Sequence, residues 1–150
     1  HAMVKEDVAY ATCKEEVENI LADFRNRDIP VAVINEHLQG DLVKFYGVHG
    51  TDFFYWFYPS PCSHSKFGLE KINGIAKGIP FSVEELKIQS DKAAEALNVP
   101  IYGGDCVVSA DGTLRIIDFN DWPSFARCRE EAGGKIAECI YNRAKKQMKQ

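Results

Sequence analysis

Two aspartates and an asparagine flank a tight turn in the second half of the chain. Asp105 precedes the turn Asp111-Gly112, while Asp118 and Asn120 follow it. An Asp-Gly pair between apolar segments is a strong hairpin signal. A two-residue turn would place Asp105 opposite Asp118, with Cβ atoms about 5 Å apart. Asn120 would share their face, because alternate residues of a strand point to the same side.

Two carboxylates that face each other destabilise a sheet unless something offsets their charge. Mg²⁺ suits such a position, because it binds one or two carboxylates and completes its octahedron with water and phosphate oxygens. The alternative is that one aspartate caps a turn and the other pairs with Arg115 or Arg127. The sequence predicts a metal site formed by Asp105, Asp118 and Asn120.

The strands that would position these residues follow from branched and aromatic runs bounded by turn signals. The hairpin strands are expected at 101–108 and 113–119. Residues 59–78, with two prolines and several serines, are expected to form a long loop that contains a short helix at 67–73. Further strands are predicted at 8–10, 31–34, 42–48 and 53–58, the second of them buried.

Three helices are expected from helical spacing and capping signals. Two of them begin with capping boxes, Thr12-Cys13-Lys14-Glu15 and Ser82-Val83-Glu84-Glu85. The second ends at Asn98-Val99-Pro100, and the third spans residues 125–149. The predicted apolar positions are Val17, Ile20, Leu21 and Phe24 in the first helix, Leu86, Ala93, Ala94 and Leu97 in the second, and Ala126, Ile136, Ala137 and Ile140 in the third.

These elements predict one mixed α/β domain over residues 1–150, of the α+β kind, with a mainly antiparallel sheet and flanking helices. Hydrophobic residues make up 45% of the chain and the net charge is −4, which argues against nucleic-acid or membrane partners. The aromatic run 53–58 is therefore interpreted as core and pocket wall, not as a base-stacking platform. Five cysteines without a CxxC pair predict reduced thiols in a cytoplasmic protein.

Gly104-Asp105-Cys106-Val107-Val108 and Ile116-Ile117-Asp118-Phe119-Asn120 together resemble the carboxyl-terminal signature of ATP-grasp enzymes. In that family an aspartate in one strand and an acidic residue and an asparagine in the next hold one or two Mg²⁺ ions. These ions bridge the phosphates of ATP. The family more often has glutamate where this chain has Asp118. The bend Trp122-Pro123-Ser124-Phe125 is similar to that of carboxylate–amine-ligase-like members.

The segment 32–41 resembles the hinge strand that lines the adenine pocket of ATP-grasp enzymes. The resemblance implies that Glu36 and the backbone of His37 and Leu38 lie beside adenine, and that Asp41 lies beside the ribose. Lys44 matches a basic position that faces the terminal phosphate or the substrate. The simpler alternatives are that Glu36 is a surface charge and Lys44 an exposed strand residue.

Arg127 and Arg129 follow the predicted metal motif closely. Either guanidinium would suit a phosphate or a substrate carboxylate, because two parallel N–H groups match the geometry of such anions. The alternative is an ion pair with Glu130 or Glu131. Lys44 and Arg127 are the residues expected to act in catalysis.

The resemblance implies an ATP-dependent carboxylate–amine ligase that binds Mg²⁺-ATP and a small-molecule substrate and reacts through an acyl phosphate. The alternatives are a small-molecule kinase of the inositol-phosphate-kinase type and a non-catalytic nucleotide-binding module. The resemblance further implies that the chain corresponds to the carboxyl-terminal part of such an enzyme, without the amino-terminal substrate domain. By itself it is expected to be inactive.

Overall fold

The computed structural model describes residues 4–59 and 72–149. Within these ranges the chain forms a four-stranded antiparallel sheet and three α-helices, so the predicted α+β class with a mainly antiparallel sheet is confirmed. The strands lie in the order β2-β1-β3-β4. The strands are β1 (Asp41–Val48), β2 (Phe54–Phe57), β3 (Ile101–Val108) and β4 (Leu114–Asp121), and the helices are α1 (Lys14–Asn26), α2 (Val83–Leu97) and α3 (Arg129–Gln147).

The larger hydrophobic core lies between α2 and one face of the sheet. Alternate residues of β1 and β3 enter it, as expected for strands with one side covered by a helix. Tyr102 crosses this core and donates its hydroxyl to Asp91 of α2 at 2.9 Å. Its ring lies over Gly47, where a Cβ would overlap the ring. The fully buried members of this core are Val43, Phe45, Leu86, Ala94, Tyr102, Cys106 and Val108.

A second core lies between α3 and part of the other face of the sheet. Val48 and Ile101, paired across β1 and β3, face Ala132 and Cys139 of α3. Phe125, which precedes the helix, is 4% exposed in the same cluster. Among the described residues, α3 covers the Val48–Ile101 end of this face, and the polar residues Lys44 and Asp105 lie farther along the same two strands.

The helix ends agree with the sequence at α2 and differ at α1 and α3. The Ser82 hydroxyl accepts a hydrogen bond from the Glu85 N–H at 3.1 Å, which confirms the second capping box. At α1 the predicted partner Glu15 was wrong, since the N–H and hydroxyl of Thr12 bond Glu16 instead, at 2.6 and 2.8 Å. The third helix begins at Arg129 instead of Phe125, because Phe125 has a left-handed φ of 49°.

Two of the predicted helix faces also need correction. In α3 the buried residues are Ala132 and Cys139, whereas the predicted Ile140 is 49% exposed. In α2 the predicted Leu86 and Ala94 are buried with Ser90, but Leu97 is 59% exposed. The helical period was correct for α2, and the assignment failed at its last turn, where Leu97 is exposed.

The first part of the chain departs most from the predictions. Neither 8–10 nor 31–34 forms a strand, and no residue from 4 to 40 whose side chain is described is buried. Val31, Val33 and Ile34 are 76%, 81% and 68% exposed, so the predicted buried strand was wrong. The two edges of β1 are already paired with β2 and β3, and the segment 31–34 does not pair with either outer strand, β2 or β4.

Most of the predicted short helix at 67–73 lies outside the described residues. None of the helices in the described part of the chain combines the length and apolar character needed to cross a bilayer.

Candidate functional site

Lys44, Asp105 and Asp118 form one row across three adjacent strands. Lys44 of β1 pairs with Asp105 of β3, and Asp105 pairs with Asp118 of β4. Directly paired residues of neighbouring strands point to the same face of a sheet. This face is the one that α3 leaves partly open, so the row is accessible at one end of the second core.

The Lys44 ammonium lies between the two oxygens of the Asp105 carboxylate. Its Nζ is 2.8 Å from Oδ1 and 2.9 Å from Oδ2. The two side chains are 31% and 21% exposed, so the pair is only partly shielded from water. The Lys44 ammonium therefore neutralises the Asp105 carboxylate. It also partly offsets the predicted repulsion between Asp105 and Asp118.

The predicted pairing of Asp105 with Asp118 is confirmed, although the turn that leads to it differs from the prediction. The Ser109 N–H bonds the Thr113 carbonyl, and Gly112 lies in the loop with a φ of 81°. The loop therefore has three residues, with glycine at the left-handed position typical of such hairpins. This connection shifts the register near the turn by one residue from the two-residue prediction, so that Cys106 pairs with Ile116.

A β-bulge at Ile117 corrects this shift before the strands reach the aspartates. The register changes between Cys106, paired with Ile116, and Asp105, paired with Asp118. Ile117 is the extra residue, and it is exposed next to the exposed Asp118. Without the bulge, alternation would turn the Asp118 side chain toward α2. The bulge is thus what brings Asp118 to the face of Asp105.

Asn120 lies on the same face as Asp118 and contacts it directly. The Asn120 amide nitrogen is 2.6 Å from Asp118 Oδ2. Both residues are exposed. Rotation of the amide by half a turn would present its carbonyl oxygen beside the carboxylate instead of its nitrogen. Two carboxylates and one amide oxygen would then be the protein donors for a hard cation at this end of the row.

These donors fit Mg²⁺ in chemical type, because that ion takes few protein oxygens and completes its shell with water and phosphate. The part of the chain that the structure describes contains no group of three or more His, Cys, Asp or Glu side chains placed to hold a metal ion. Asp105 and Asp118 alone therefore do not form a closed protein cage. A cation here would need oxygen atoms from Asn120, water and a bound ligand.

The chain bends sharply after Asn120 and returns across the open face. Trp122 and Phe125 have left-handed φ values of 44° and 49°, a strained conformation for residues other than glycine. The Trp122 N–H donates to the Ile101 carbonyl at 2.9 Å, which anchors the bend to β3. The Phe125 ring packs 5.2 Å from the ring of Tyr46.

This bend places Arg127 above β2. Its guanidinium carbon lies 4.2 Å from the centre of the Phe57 ring, a cation–π distance. Phe57 is the β2 partner of Lys44, so Arg127 stands at the cationic end of the same row. Among the described residues, the alternative ion pair of Arg127 or Arg129 with Glu130 or Glu131 is not found.

A groove of about 620 Å³ lies beside the carboxylate end of the row. The segment 35–38 and Asp105 both line it. His37 is held there by the Tyr10 ring, with centroids 5.0 Å apart, and by Asn73 Oδ1 at 2.9 Å. The predicted adenine-side residues Glu36, His37 and Leu38 therefore share one groove with a predicted metal ligand. The remaining lining residues are Leu42, Asn73, Val107, Arg115 and Ile117.

Asp41 has surroundings that differ from those of a ribose-binding residue. It is 3% exposed, and its two carboxylate oxygens accept hydrogen bonds from the N–H groups of Lys77 and Ile79, each at 2.8 Å. It does not line the groove. Both bonds fasten the segment that leads into α2 to the start of β1, which gives Asp41 a structural role.

Asn73 and Phe57 are site residues that the sequence reasoning missed. Asn73 lies within the predicted loop 59–78, as the last residue of the short helix predicted there, and its amide nitrogen donates to the Leu38 carbonyl at 2.9 Å. No local motif marks such a contact between distant segments. Phe57 belonged to the aromatic run, and its register partner Lys44 becomes evident only when β1 and β2 are paired.

The three buried thiols among the described residues are poor candidates for a nucleophile at this site. Cys106 points into the α2 core, and burial raises its pKa to about 11. Burial also raises the pKa of Cys128 and of Cys139. A thiol that remains protonated at neutral pH is a poor nucleophile.

The chain was compared with protein-family models, curated proteins and solved structures, and none of these comparisons gives a match.

Proposed function

We propose that this chain is the ATP- and Mg²⁺-binding part of an ATP-grasp enzyme, a carboxylate–amine ligase that activates a carboxylate as an acyl phosphate. One observation carries the proposal: Lys44, Asp105 and Asp118 form a row on adjacent strands, next to a groove lined by Glu36, His37 and Leu38. The resemblance of the same residues to the family signature supports it.

The groove has the size and lining expected of a small-molecule site. Its volume of about 620 Å³ lies within the range of roughly 300–1,000 Å³ for such sites. Leu38, Leu42, Val107 and Ile117 give it apolar surface for a flat base. In the proposed arrangement the base lies along residues 35–38, and the phosphates extend over the row.

The row has charges of opposite sign at its two ends, as a metal–phosphate complex requires. Asp118 and Asn120 would hold the cation together with Asp105, and Lys44 and Arg127 would contact phosphoryl oxygens. Bound Mg²⁺ supplies charge neutralisation and orientation for the phosphates. Lys44 and Arg127 then stabilise the negative charge of the transferred group by preorganised electrostatics.

Calorimetric titration with ATP, in the presence and absence of Mg²⁺, tests this assignment. Asp118→Asn removes one ligand charge without changing the shape of the residue. Asp121→Asn is the matched control, since Asp121 is an exposed aspartate of the same strand and lines a different cavity. We expect Mg²⁺-dependent ATP binding in the wild type and in Asp121→Asn, and a loss of at least tenfold in Asp118→Asn. Equal affinity of all three proteins would contradict the proposed site.

A further inference from the structure

The contact between Lys44 and Asp105 conflicts with the proposed metal site and suggests how that site is regulated. The Lys44 Nζ lies within 2.9 Å of both carboxylate oxygens of Asp105. A cation bound by Asp105 would need at least one of these oxygens. An ammonium and a divalent cation cannot both remain at that carboxylate without strong repulsion, because like charges a few ångströms apart interact strongly in a shielded site.

The position of the Lys44–Asp105 pair should make the competition between the ammonium and a metal ion measurable. The Lys44 and Asp105 side chains are 31% and 21% exposed, so water screens their attraction less than it would at the surface. Lysine has four rotatable side-chain bonds, and its ammonium can leave Asp105 while its backbone stays fixed in β1. The side chain then remains on the face that carries Arg127 and the groove.

We infer that Lys44 is a displaceable counter-ion: it neutralises Asp105 when no cation is bound, and it transfers to the phosphates when Mg²⁺ and nucleotide enter together. This inference rests on the proposed function and adds a regulatory role to one of its residues. The exchange involves only ion pairs and hydrogen bonds, with no covalent step. It couples the two ligands, because phosphate oxygens draw Lys44 away from the carboxylate that the cation needs.

Thermodynamic linkage predicts how the affinities for the metal ion and for the nucleotide depend on each other. A metal ion alone must displace Lys44 without compensation, so it binds weakly. A nucleotide alone must break the same pair to recruit Lys44. When the metal ion and the nucleotide bind together, a single movement of Lys44 away from Asp105 makes room for the metal ion and supplies a cation to the phosphates. Each ligand therefore raises the affinity for the other by the same factor. Removal of the ammonium should therefore strengthen metal binding, weaken nucleotide binding and reduce the coupling between them.

The test measures Mn²⁺ binding by electron paramagnetic resonance, first without and then with ATP. Lys44→Met keeps most of the length of the side chain and removes its charge. Lys44→Gln is a second variant that retains a polar side chain. Lys92→Met is the matched control, since Lys92 is an exposed lysine of α2 on the other side of the sheet. Thermal unfolding of each variant establishes that it is folded.

We expect Mn²⁺ alone to bind Lys44→Met about tenfold more tightly than the wild type, within the usual range of coupling between sites. ATP alone should bind the same variant more weakly, and Lys92→Met should behave as the wild type does. If the wild type binds Mn²⁺-ATP and both Lys44 variants bind Mn²⁺ alone no better than the wild type, the counter-ion role is wrong while the proposed function stands. If the wild type shows no Mn²⁺-dependent ATP binding, the proposed function fails, and this inference fails with it.

Discussion

Single residues on the two faces of the sheet serve different purposes. The Lys44–Asp105 pair is partly exposed, and pairs of this kind typically add only about 0–1 kcal/mol to stability. Tyr102 is fully buried on the α2 side, and its hydroxyl bonds a carboxylate. The polar row therefore contributes little to folding, and the substitutions proposed at Lys44 should leave the fold intact.

Tyr102→Phe should lower the free energy of unfolding by about 1–3 kcal/mol at neutral pH, because it removes a hydrogen bond to the charged Asp91. Burial raises the pKa of Tyr102 well above its ordinary value, and the neighbouring Asp91 raises it further. Stability that depends on a raised pKa is complete below the unfolded value, near 10, and is lost as pH increases above it.

Chemical denaturation at pH 8 and at pH 10.5 checks this expectation. The wild type should lose more stability across this interval than Tyr102→Phe, so that the two proteins become more alike as pH rises. Asp91 also contacts Lys87, at 2.5 Å, which remains its partner in the variant. A difference between the proteins that stays constant with pH would show that Tyr102 does not ionise on unfolding.

At the level of elements, the β3–β4 hairpin pairs Asp105 with Asp118 as predicted, although its loop and its register differ from the prediction. The Asp111-Gly112 signal predicted a hairpin, and the strands formed where they were expected. The loop has three residues instead of two, and the bulge at Ile117 compensates for the difference. No feature of the sequence specified that both deviations would occur.

Two glycine substitutions test whether the hairpin loop holds Gly112 in a left-handed conformation. Gly112→Ala should destabilise the protein by about 1–2 kcal/mol, because Gly112 has a φ of 81°. Its Cβ would also lie 3.2 Å from the Pro80 carbonyl oxygen. Gly133→Ala is the control of opposite sign: it lies in α3 with open space around it and should stabilise by about 0.5–1 kcal/mol.

Urea denaturation gives both changes in unfolding free energy. Equal effects at the two positions would mean that the loop does not hold Gly112 in a left-handed conformation.

The sequence correctly predicted the elements that have strong local signals. Its predictions failed where the structure depends on contacts between distant segments. The Ser82 cap, β1 and the hairpin strands were correct because turn residues and apolar alternation specify them locally. The segment 31–34 was wrong, since a run of apolar residues indicates a strand only if another strand is there to pair with it. The contacts of Asp41 with 77–79 likewise depend on chain packing that no motif records.

The whole molecule consists of a sheet covered by α2 on one side and partly by α3 on the other, with a first part that lacks a core. From residue 4 to 40 no described side chain is buried, although α1 carries an apolar stripe. The contacts that hold this part include the ion pair between Arg27 and Asp7 and the His37 contacts with Tyr10 and Asn73. Because His37 and Leu38 line the groove, this weakly packed part forms one wall of the proposed site.

Val33→Asp should change the free energy of unfolding by less than about 0.5 kcal/mol, as expected for an exposed position. Val33 is 81% exposed, so the new carboxylate would remain hydrated. Val43→Asp is the contrasting variant, because Val43 is fully buried beneath α2 and an unpaired charge there should abolish folding. Thermal unfolding monitored by circular dichroism measures both. A loss above 2 kcal/mol in Val33→Asp would show that this segment is covered in solution.

In the proposed site, Asp105, Asp118 and Asn120 would hold a cation together with bound ATP. Paramagnetic line broadening by Mn²⁺ in the presence of ATP, measured on the backbone amide resonances of the isotopically labelled chain, tests it most directly. We expect the broadening to be strongest at Asp105 and at residues 118–120, weak across α2, and absent in Asp118→Asn. Broadening centred elsewhere, or broadening that persists unchanged in Asp118→Asn, would contradict the proposed cation site.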